Sequence, residues 1–186
     1  TTGGEYYAEM LANKGITYLG SFHNGFRQLT NSKHAVTTPE DLKGLKIRVP
    51  GSAVYMGVFK ALGASPTAMS WSEVFTAIQQ GTIDGEENPY MNIVGNNVQE
   101  VQKYVVETNH VGHIITFFMN KDVYNSLPDN VRKLVDECAA AATAYGNRRA
   151  DKSIQQYKQP CIDAGCEIVT LDPQVIDQLR EKGKVV

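Results

Sequence analysis

The sequence of 186 residues lacks both an excess of charge and a long apolar run. Its 18 lysine and arginine residues nearly balance 20 aspartate and glutamate residues, and the formal net charge is −2. A protein that binds nucleic acid carries a basic surface, so we expect no nucleic-acid partner. No apolar stretch reaches the roughly 20 residues that span a bilayer, so we predict no membrane-spanning helix. The sequence begins without a charged and then apolar leader, and we expect any signal peptide to belong to a precursor.

Cysteine is scarce, and the three cysteines define no disulfide framework. Cys161 and Cys166 are close enough in sequence to pair, but their spacing does not give the Cα geometry that a bridge requires, so a disulfide between them stays open. Cys138 lies in an alanine-rich, helix-like stretch and is predicted to be a small buried apolar side chain. No histidine stands at zinc-ligand spacing from any cysteine, so we predict no metal site.

Motifs of catalysis and of nucleotide binding are also missing. No G-x-S-x-G elbow accompanies the four histidines and no G-x-x-x-x-G-K loop is present, so we predict no catalytic residue and no cofactor. The stretch "DGEENP" does bring together Asp84, Glu86 and Glu87, which in principle suit general acid and base catalysis. We interpret it as a solvated acidic turn, and it lacks the alternating spacing of a calcium loop.

The apolar pattern alternates between strand-like and helix-like segments. The predicted strands read "ITYLGSF", "LKIRV", "ASPTAM", "EVQKYVVETNH", "IITFFM" and "CEIVTL", and "IITFFM" is apolar enough for a central strand. The predicted helices include "SAVYMGVFKALG", "SWSEVFTAIQQG", a segment of over thirty residues that begins at "DNVRKLV", and "DPQVIDQLREKG". The order strand, helix, strand, helix predicts an α/β lobe with a parallel sheet.

Two arginines stand where a predicted strand meets a loop. Arg48 lies near the end of the alternating stretch "LKGLKIRVPG", and Arg27 lies in "NGFRQLTN". The ends of strands are the usual place for binding groups in an α/β lobe. An arginine there either makes a structural ion pair or holds a ligand carboxylate by two parallel hydrogen bonds. The residues alone leave both roles open for each arginine.

Four stretches of the chain resemble one known family, and they occur in that family's order. They read "HNGFRQLTNSK", "TPEDLKGLKIRVPGS", "ALGASPTAMSWSEVFTAIQQGTIDGEENP" and "VQKYVVETNH". The family that they resemble is the extracytoplasmic solute-binding proteins of tripartite ATP-independent periplasmic (TRAP) transporters. The resemblance implies a periplasmic-binding-protein-like α/β fold, with a mixed, mainly parallel sheet flanked by helices and one long helix that spans the lobes. It also implies a periplasmic, non-enzymatic protein that captures a small organic acid and delivers it to a membrane permease.

The resemblance implies roles for individual residues of this chain. Arg48 is expected to be the main partner of the ligand carboxylate, and Arg27 is expected to be a second cleft residue. Asn88, in "DGEENP", is expected to hydrogen-bond the carboxylate or a neighbouring hydroxyl group. Trp71 stands where the family often places an aromatic ring against the ligand, and a sugar-like carbon skeleton stacks well on such a ring.

Two positions depart from the family's pattern. Many members have glutamine where Glu86 stands, so this stretch is more acidic than usual, and a contact between Glu86 and the ligand is left open. Gly51 stands where sialic-acid-binding members carry asparagine, which removes a side chain from the cleft. We therefore expect a smaller sugar acid, such as a uronate or aldonate, or a dicarboxylate as the ligand.

Members of this family are longer than this chain, so we expect a fragment that lacks the N-terminal part. Residues 25–113 are predicted to form the ligand-binding lobe, 1–24 and 114–153 a remnant of the other lobe, and 154–186 a truncated return segment. An exposed half-core in such a fragment is expected to favour dimerisation. Two alternative functions stay open, a carboxylate-sensing module of a signalling protein and an enzyme that uses Glu86 and Glu87.

Overall fold

The computed structural model describes residues 3–184, and the side chains of residues 4–150 and 156–184. The strands are β1 Ile16–Phe26, β2 Gln28–Asn31, β3 Lys46–Val49, β4 Ser65–Ala68, β5 Gly85–Asn88, β6 Tyr104–Glu107, β7 Gly112–Asn120 and β8 Glu167–Thr170. The α-helices are α1 Gly3–Ala12, α2 Ala53–Ala61, α3 Trp71–Gln79, α4 Tyr90–Gly95, α5 Lys121–Ser126, α6 Asp129–Asp163 and α7 Pro173–Gly183, with 3-10 turns at Pro39–Leu42 and Val98–Glu100. No helix in the described residues is both long and apolar enough to cross a membrane.

Contacts between residues group the chain into two compact units. The first unit comprises Thr1–Gly25 and His113–Ser153, and the second comprises Phe26–Gly112 and Ile154–Val186. In the first unit, β1 and β7 form a two-stranded sheet. The long helix α6 contributes residues to both units.

The second unit is built on a six-stranded sheet with the strand order β4-β3-β5-β2-β6-β8. β3 runs parallel to β4 and β5, and β6 runs parallel to β8. β2 is antiparallel to both of its neighbours, β5 and β6. The mixed, mainly parallel sheet flanked by helices that the family resemblance implies is therefore confirmed. The parallel sheet expected from the alternation of segments is confirmed for β3, β4 and β5. The strand β2 is the exception, because it follows β1 directly instead of a crossover helix.

Two apolar cores cover the two faces of this sheet. One core packs the sheet against α2 and α7 and includes Leu29, Ile47, Phe59, Val106 and Val169. The other packs it against α3, α4 and the end of α6 and includes Val74, Ile78, Ile93, Val105 and Cys161. Because side chains alternate along a strand, the neighbours Val105 and Val106 enter opposite cores. Helices on both faces therefore keep the sheet away from water.

A capping residue sets the start of the last helix. The Asp172 side chain accepts a hydrogen bond from the backbone N–H of Gln174 at 2.8 Å, and α7 begins at Pro173 between them. The α3 helix begins directly after Ser70, whose side chain makes no capping hydrogen bond. The α6 helix extends over 35 residues, which confirms the prediction of a helix longer than thirty residues.

The three cysteines are all free thiols. Cys161 and Cys166 are buried, and the Sγ of Cys166 donates to the backbone carbonyl of Gln99 at 3.4 Å, so the open question of a disulfide is answered by two separate thiols. The prediction that Cys138 is buried is wrong. Its neighbour Ala139 occupies the buried face of α6, and one residue along a helix turns the side chain by about 100°.

The apolar strand β7 is not a central strand. Among the described residues it pairs only with β1. Ile114 is 56% exposed and Phe118 is 62% exposed, and the two lie on the same face of the strand. An apolar run predicts burial on both faces, whereas this strand has a partner on one edge and an open face.

Close contact between β2 and β5 generates a testable prediction at Gly85. A Cβ at this position would lie 1.8 Å from the backbone oxygen of Thr30, and the backbone of a sheet cannot move far enough to relieve that overlap. We expect Gly85→Ala to lower the free energy of unfolding by more than about 3 kcal/mol, measured by urea denaturation. Gly51→Ala is the matched control, because nothing lies within 4 Å of a Cβ there and the change should stay within about 0.5 kcal/mol. Equal stability of the two variants would contradict the close pairing of β2 with β5.

Candidate functional site

The acidic stretch "DGEENP" forms the buried strand β5 at the centre of the sheet. All four residues of β5 are buried, and Glu86 and Glu87 are both 0% exposed. The interpretation of this stretch as a solvated turn is therefore wrong. The strand pairs with β3 on one edge and β2 on the other, so water has no access to its backbone, and each carboxylate has its own hydrogen-bond donors.

Glu87 makes a buried ion pair with Arg27. The Arg27 Nε donates to Oε2 of Glu87, and Nη2 donates to Oε1 at 2.8 Å and to the Glu87 backbone oxygen at 2.6 Å. His110 Nε2 lies 3.0 Å from the same Oε2. The guanidinium carbon of Arg27 also lies 5.5 Å from the ring centre of Tyr55. Arg27 thus makes the structural ion pair that the sequence left open, and its role toward a ligand stays a prediction.

The partners of Glu87 stabilise its charged form. Burial alone would raise the pKa of the Glu87 carboxyl, but the hydrogen bonds from His110 and Arg27 outweigh it and the pKa is lowered. Burial also opposes the charge of Arg27, and the bond to Glu87 outweighs that effect, so the pKa of Arg27 is raised. The pair is therefore ionised inside the protein.

Arg48 has a different environment, because no described carboxylate forms an ion pair with it. Its Nε and Nη2 donate to the backbone oxygen of Met69 at 2.9 and 2.7 Å, and its guanidinium carbon lies 5.3 Å from the ring centre of Trp71. Only 6% of Arg48 is exposed. Burial lowers the pKa of Arg48, although the charges of Glu86 and Glu87 oppose that shift. The guanidinium is held in one orientation by neutral groups.

Glu86 lies next to Arg48 across the parallel pair of β3 and β5, where the two residues are in register. Its Oε2 accepts a hydrogen bond from Nδ2 of Asn88 at 2.6 Å, and its Oε1 accepts one from the hydroxyl of Thr30 at 3.1 Å. Burial, together with the charge of Glu87, raises the pKa of Glu86 to about 7. This carboxyl is therefore poised between its two protonation states at neutral pH.

The predicted site residues lie in the second unit, near the carboxyl ends of β3 and β5. Arg48 contacts Trp71, is in register with Glu86, and Glu86 binds Asn88, so these four are brought together. Arg27 joins them only through its ion pair with Glu87 on β5. This edge of a parallel sheet is where α/β proteins usually bind ligands.

Sequence reasoning missed three contributors to this arrangement. The acidic stretch suggests Glu87 only as a catalytic acid, whereas it is the counter-ion of Arg27. Neither His110 nor Thr30 carries a motif. Thr30 lies within β2 in register with Glu86, and His110 follows the end of β6, so only the strand pairing brings them to the acidic stretch. Among the described residues, no group of histidine, cysteine, aspartate and glutamate side chains could hold a metal ion.

A cavity of about 350 Å³ opens elsewhere in the second unit, between α2 and α7. Phe59, Leu179 and His110 are among the residues that line it. None of the five predicted site residues lines this cavity, so it does not coincide with the cluster around Arg48. The cavity is lined mainly by apolar side chains, with Arg180 and Lys184 among its basic ones, whereas the cluster combines the buried cation of Arg48 with an aromatic ring.

Comparisons with known proteins agree on one family. The family model described as "Bacterial extracellular solute-binding protein, family 7" matches residues 1–186. A C4-dicarboxylate-binding periplasmic protein of Rhodobacter capsulatus is 36% identical over 164 residues, which cover 87% of this chain and 48% of that protein. The chain spans about half the length of the curated relatives it matches.

Two solved structures have the same fold. A TRAP periplasmic solute-binding protein from Shewanella oneidensis with bound succinate has a TM-score of 0.93 and 34% identity, and the match covers 100% of this chain and 61% of that chain. One from Roseobacter denitrificans with bound L-galactonate has a TM-score of 0.89 and 32% identity, with 97% and 60% covered.

The buried ion pair predicts a large loss of stability when its acid is removed. Glu87→Ala leaves the buried Arg27 without a counter-ion, so the free energy of unfolding should fall by about 3–5 kcal/mol in urea denaturation. Glu40→Ala is the control, because it removes the partner of Lys182 from a solvent-exposed ion pair and should leave the denaturation midpoint unchanged. A Glu87→Ala protein as stable as the wild type would contradict a structural role for the pair.

Proposed function

The chain belongs to the bacterial extracellular solute-binding proteins of family 7, and on that premise we propose that it is part of a TRAP solute-binding protein that captures a small organic acid through Arg48. The full-length protein acts in the periplasm and delivers the acid to the membrane permease of the transporter. The observation that carries the proposal is the buried guanidinium of Arg48, with which no described carboxylate forms an ion pair.

The contacts of Arg48 support a binding role for one particular edge of its guanidinium. Nε and Nη2 both donate to Met69, whereas no hydrogen bond among the described residues uses Nη1. A ligand carboxylate that accepts from Nη1 and from the second hydrogen of Nη2 would form two parallel, charge-assisted hydrogen bonds. Such a ligand would make the direct ion pair that Arg48 lacks among the described residues. Trp71 and Met69 fix the orientation of this edge before the ligand arrives.

Asn88 and Trp71 are proposed to bind the rest of the ligand. Only one hydrogen of the Asn88 amide is used by Glu86, so its Oδ1 and its second N–H are suited to a hydroxyl or carboxylate of the ligand. The Trp71 ring is half-buried and suits the apolar face of a sugar acid. Relatives named for C4-dicarboxylates and structures with bound succinate or L-galactonate support sugar acids and dicarboxylates as the ligand class.

We also propose that Glu86 and Glu87 support ligand binding and do not act as catalytic acids. Both carboxylates are buried, and their oxygens already accept hydrogen bonds from Arg27, His110, Asn88 or Thr30. They therefore position the cations and the amide of the site. No contact of the described residues favours the enzyme or the sensing module over solute capture.

Removing the guanidinium of Arg48 should abolish acid binding. The test is isothermal titration calorimetry of the full-length protein with succinate, L-galactonate and D-glucuronate. For each acid that binds the wild type, Arg48→Ala should weaken binding at least about thirtyfold, because it removes one partner of a buried, hydrogen-bonded charge pair. Arg180→Ala is the matched control, since this arginine is exposed and pairs with Asp177 three residues away. Wild-type affinity in Arg48→Ala would overturn the proposal.

The ligand must bind through its carboxylate, which a thermal-shift screen can test. A ligand that binds only the folded state raises the melting temperature, so at least one acid among uronates, aldonates, keto acids and dicarboxylates should raise it. The neutral amide of an active acid should have no effect, because Arg48 has no anion to bind. An equal rise with the acid and its amide would contradict recognition by charge.

A further inference from the structure

The two buried glutamates of β5 differ in the kind of partner that each has. Glu87 accepts from the cationic Arg27 and from His110. The oxygens of Glu86 accept only from the neutral groups Asn88 and Thr30 among the described residues. A carboxylate that is fully buried and bound by neutral donors is costly to keep ionised. Glu86 is therefore the buried acid of this site that gains most by taking up a proton.

The charged and titratable groups around Glu86 come from each element that packs beside it. They are Arg48 from β3, Arg27 at the start of β2, Glu87 on β5, His110 after β6 through Glu87, and Tyr55 of α2 through Arg27. On the helices that cover the same face, α3 contributes Trp71, which contacts Arg48, and Tyr90 of α4 donates to Glu107.

These charges balance only while no ligand is present. Ionised Glu86 and Glu87 together carry two negative charges, and Arg27 and Arg48 carry two positive charges. Because Arg27 is committed to Glu87, a ligand carboxylate at Arg48 would share its only cation with Glu86. One buried negative charge would then lack a counter-ion, which is strongly unfavourable in a desolvated site. A proton on Glu86 removes that charge.

We propose that Glu86 takes up one proton from solvent when a ligand carboxylate binds Arg48, so that capture of the acid is coupled to protonation. The inference rests on the proposed function and adds a role for Glu86. The proton binds a carboxylate oxygen of Glu86, and no other bond forms or breaks. The net charge of the filled site is the same as that of the empty site.

Protonation also changes what Asn88 offers the ligand. Ionised Glu86 accepts from Nδ2 of Asn88, so this N–H is committed to Glu86. Protonated Glu86 carries an O–H that donates to Oδ1 of Asn88 once the amide rotates by half a turn. The rotation releases Nδ2 from Glu86, so both of its hydrogens become available to a ligand carboxylate, which accepts hydrogen bonds only. Asn88 thereby becomes a second donor to the same anion that Arg48 binds.

The coupling has a defined direction with pH. Glu86 has a pKa of about 7 without ligand, so it is about half ionised at pH 7 and almost fully ionised at pH 8.5. The proton taken up per bound ligand should rise from about one half at pH 7 to nearly one at pH 8.5. The dissociation constant should rise with pH and approach a slope of about tenfold per pH unit.

Calorimetry in buffers of different ionisation enthalpy counts these protons directly. The full-length protein is titrated at pH 7 and pH 8.5 with L-galactonate, D-glucuronate and succinate, which are all ionised at both pH values. Binding of an acid by the wild type with no proton uptake at pH 8.5 would overturn this inference and leave the proposed function intact. Failure of every acid in the thermal-shift screen to bind would overturn the proposed function, and this inference with it.

The variant Glu86→Gln tests whether Glu86, and no other titratable group, takes up the proton. Glutamine is neutral and keeps a donor and an acceptor for Asn88 and Thr30, so the variant should bind without proton uptake and on the order of tenfold more tightly than the wild type at pH 8.5. Glu107→Gln, which alters a carboxylate that binds Lys158, is the control and should keep the uptake. Uptake that persists in Glu86→Gln but disappears in His110→Gln would overturn the assignment. If Glu86→Gln fails to fold, the number of protons that the wild type takes up per bound ligand at pH 8.5 still tests the inference.

Discussion

The buried ion pair between Arg27 and Glu87 is the interaction on which the arrangement of the second unit depends. It joins the start of β2 to β5 at the middle of the sheet, and His110 after β6 adds a third strand to the same carboxylate. An unpaired charge that is buried here would be strongly destabilising, so each charge of the pair offsets the desolvation cost of the other. The pair also commits Arg27, and Arg48 is left as the cation beside Glu86.

Two adjacent carboxylates on one strand thereby acquire opposite properties. Successive side chains point to opposite faces of a sheet, so Glu87 meets Arg27 while Glu86 meets Thr30, Asn88 and the register position of Arg48. One acid has its pKa lowered and the other has it raised to about 7, although they are neighbours in sequence. A sheet of fixed register can therefore place a permanent charge and a titrating group side by side.

Local sequence patterns predict most helices and strands of the second unit, but they do not predict the central strand β5. Asp172 caps the start of α7, and the strand pattern before Arg48 identifies β3, because capping and alternation depend on near neighbours in the chain. The polar strand β5 has no apolar alternation, and its burial depends on Arg27, 60 positions away. The apolar strand β7 was predicted to be central but pairs only with β1 among the described residues, because apolarity does not indicate how many strands pair with it.

The stacking of Arg48 on Trp71 has a spectroscopic consequence. Trp71 is the single tryptophan of this chain, and its indole ring lies against the guanidinium that we assign to the ligand. The emission of an indole depends on the charge and the hydration of its surroundings. The tryptophan fluorescence of this chain therefore originates beside the assigned anion site, and the chain carries its own optical probe of the charge at that position.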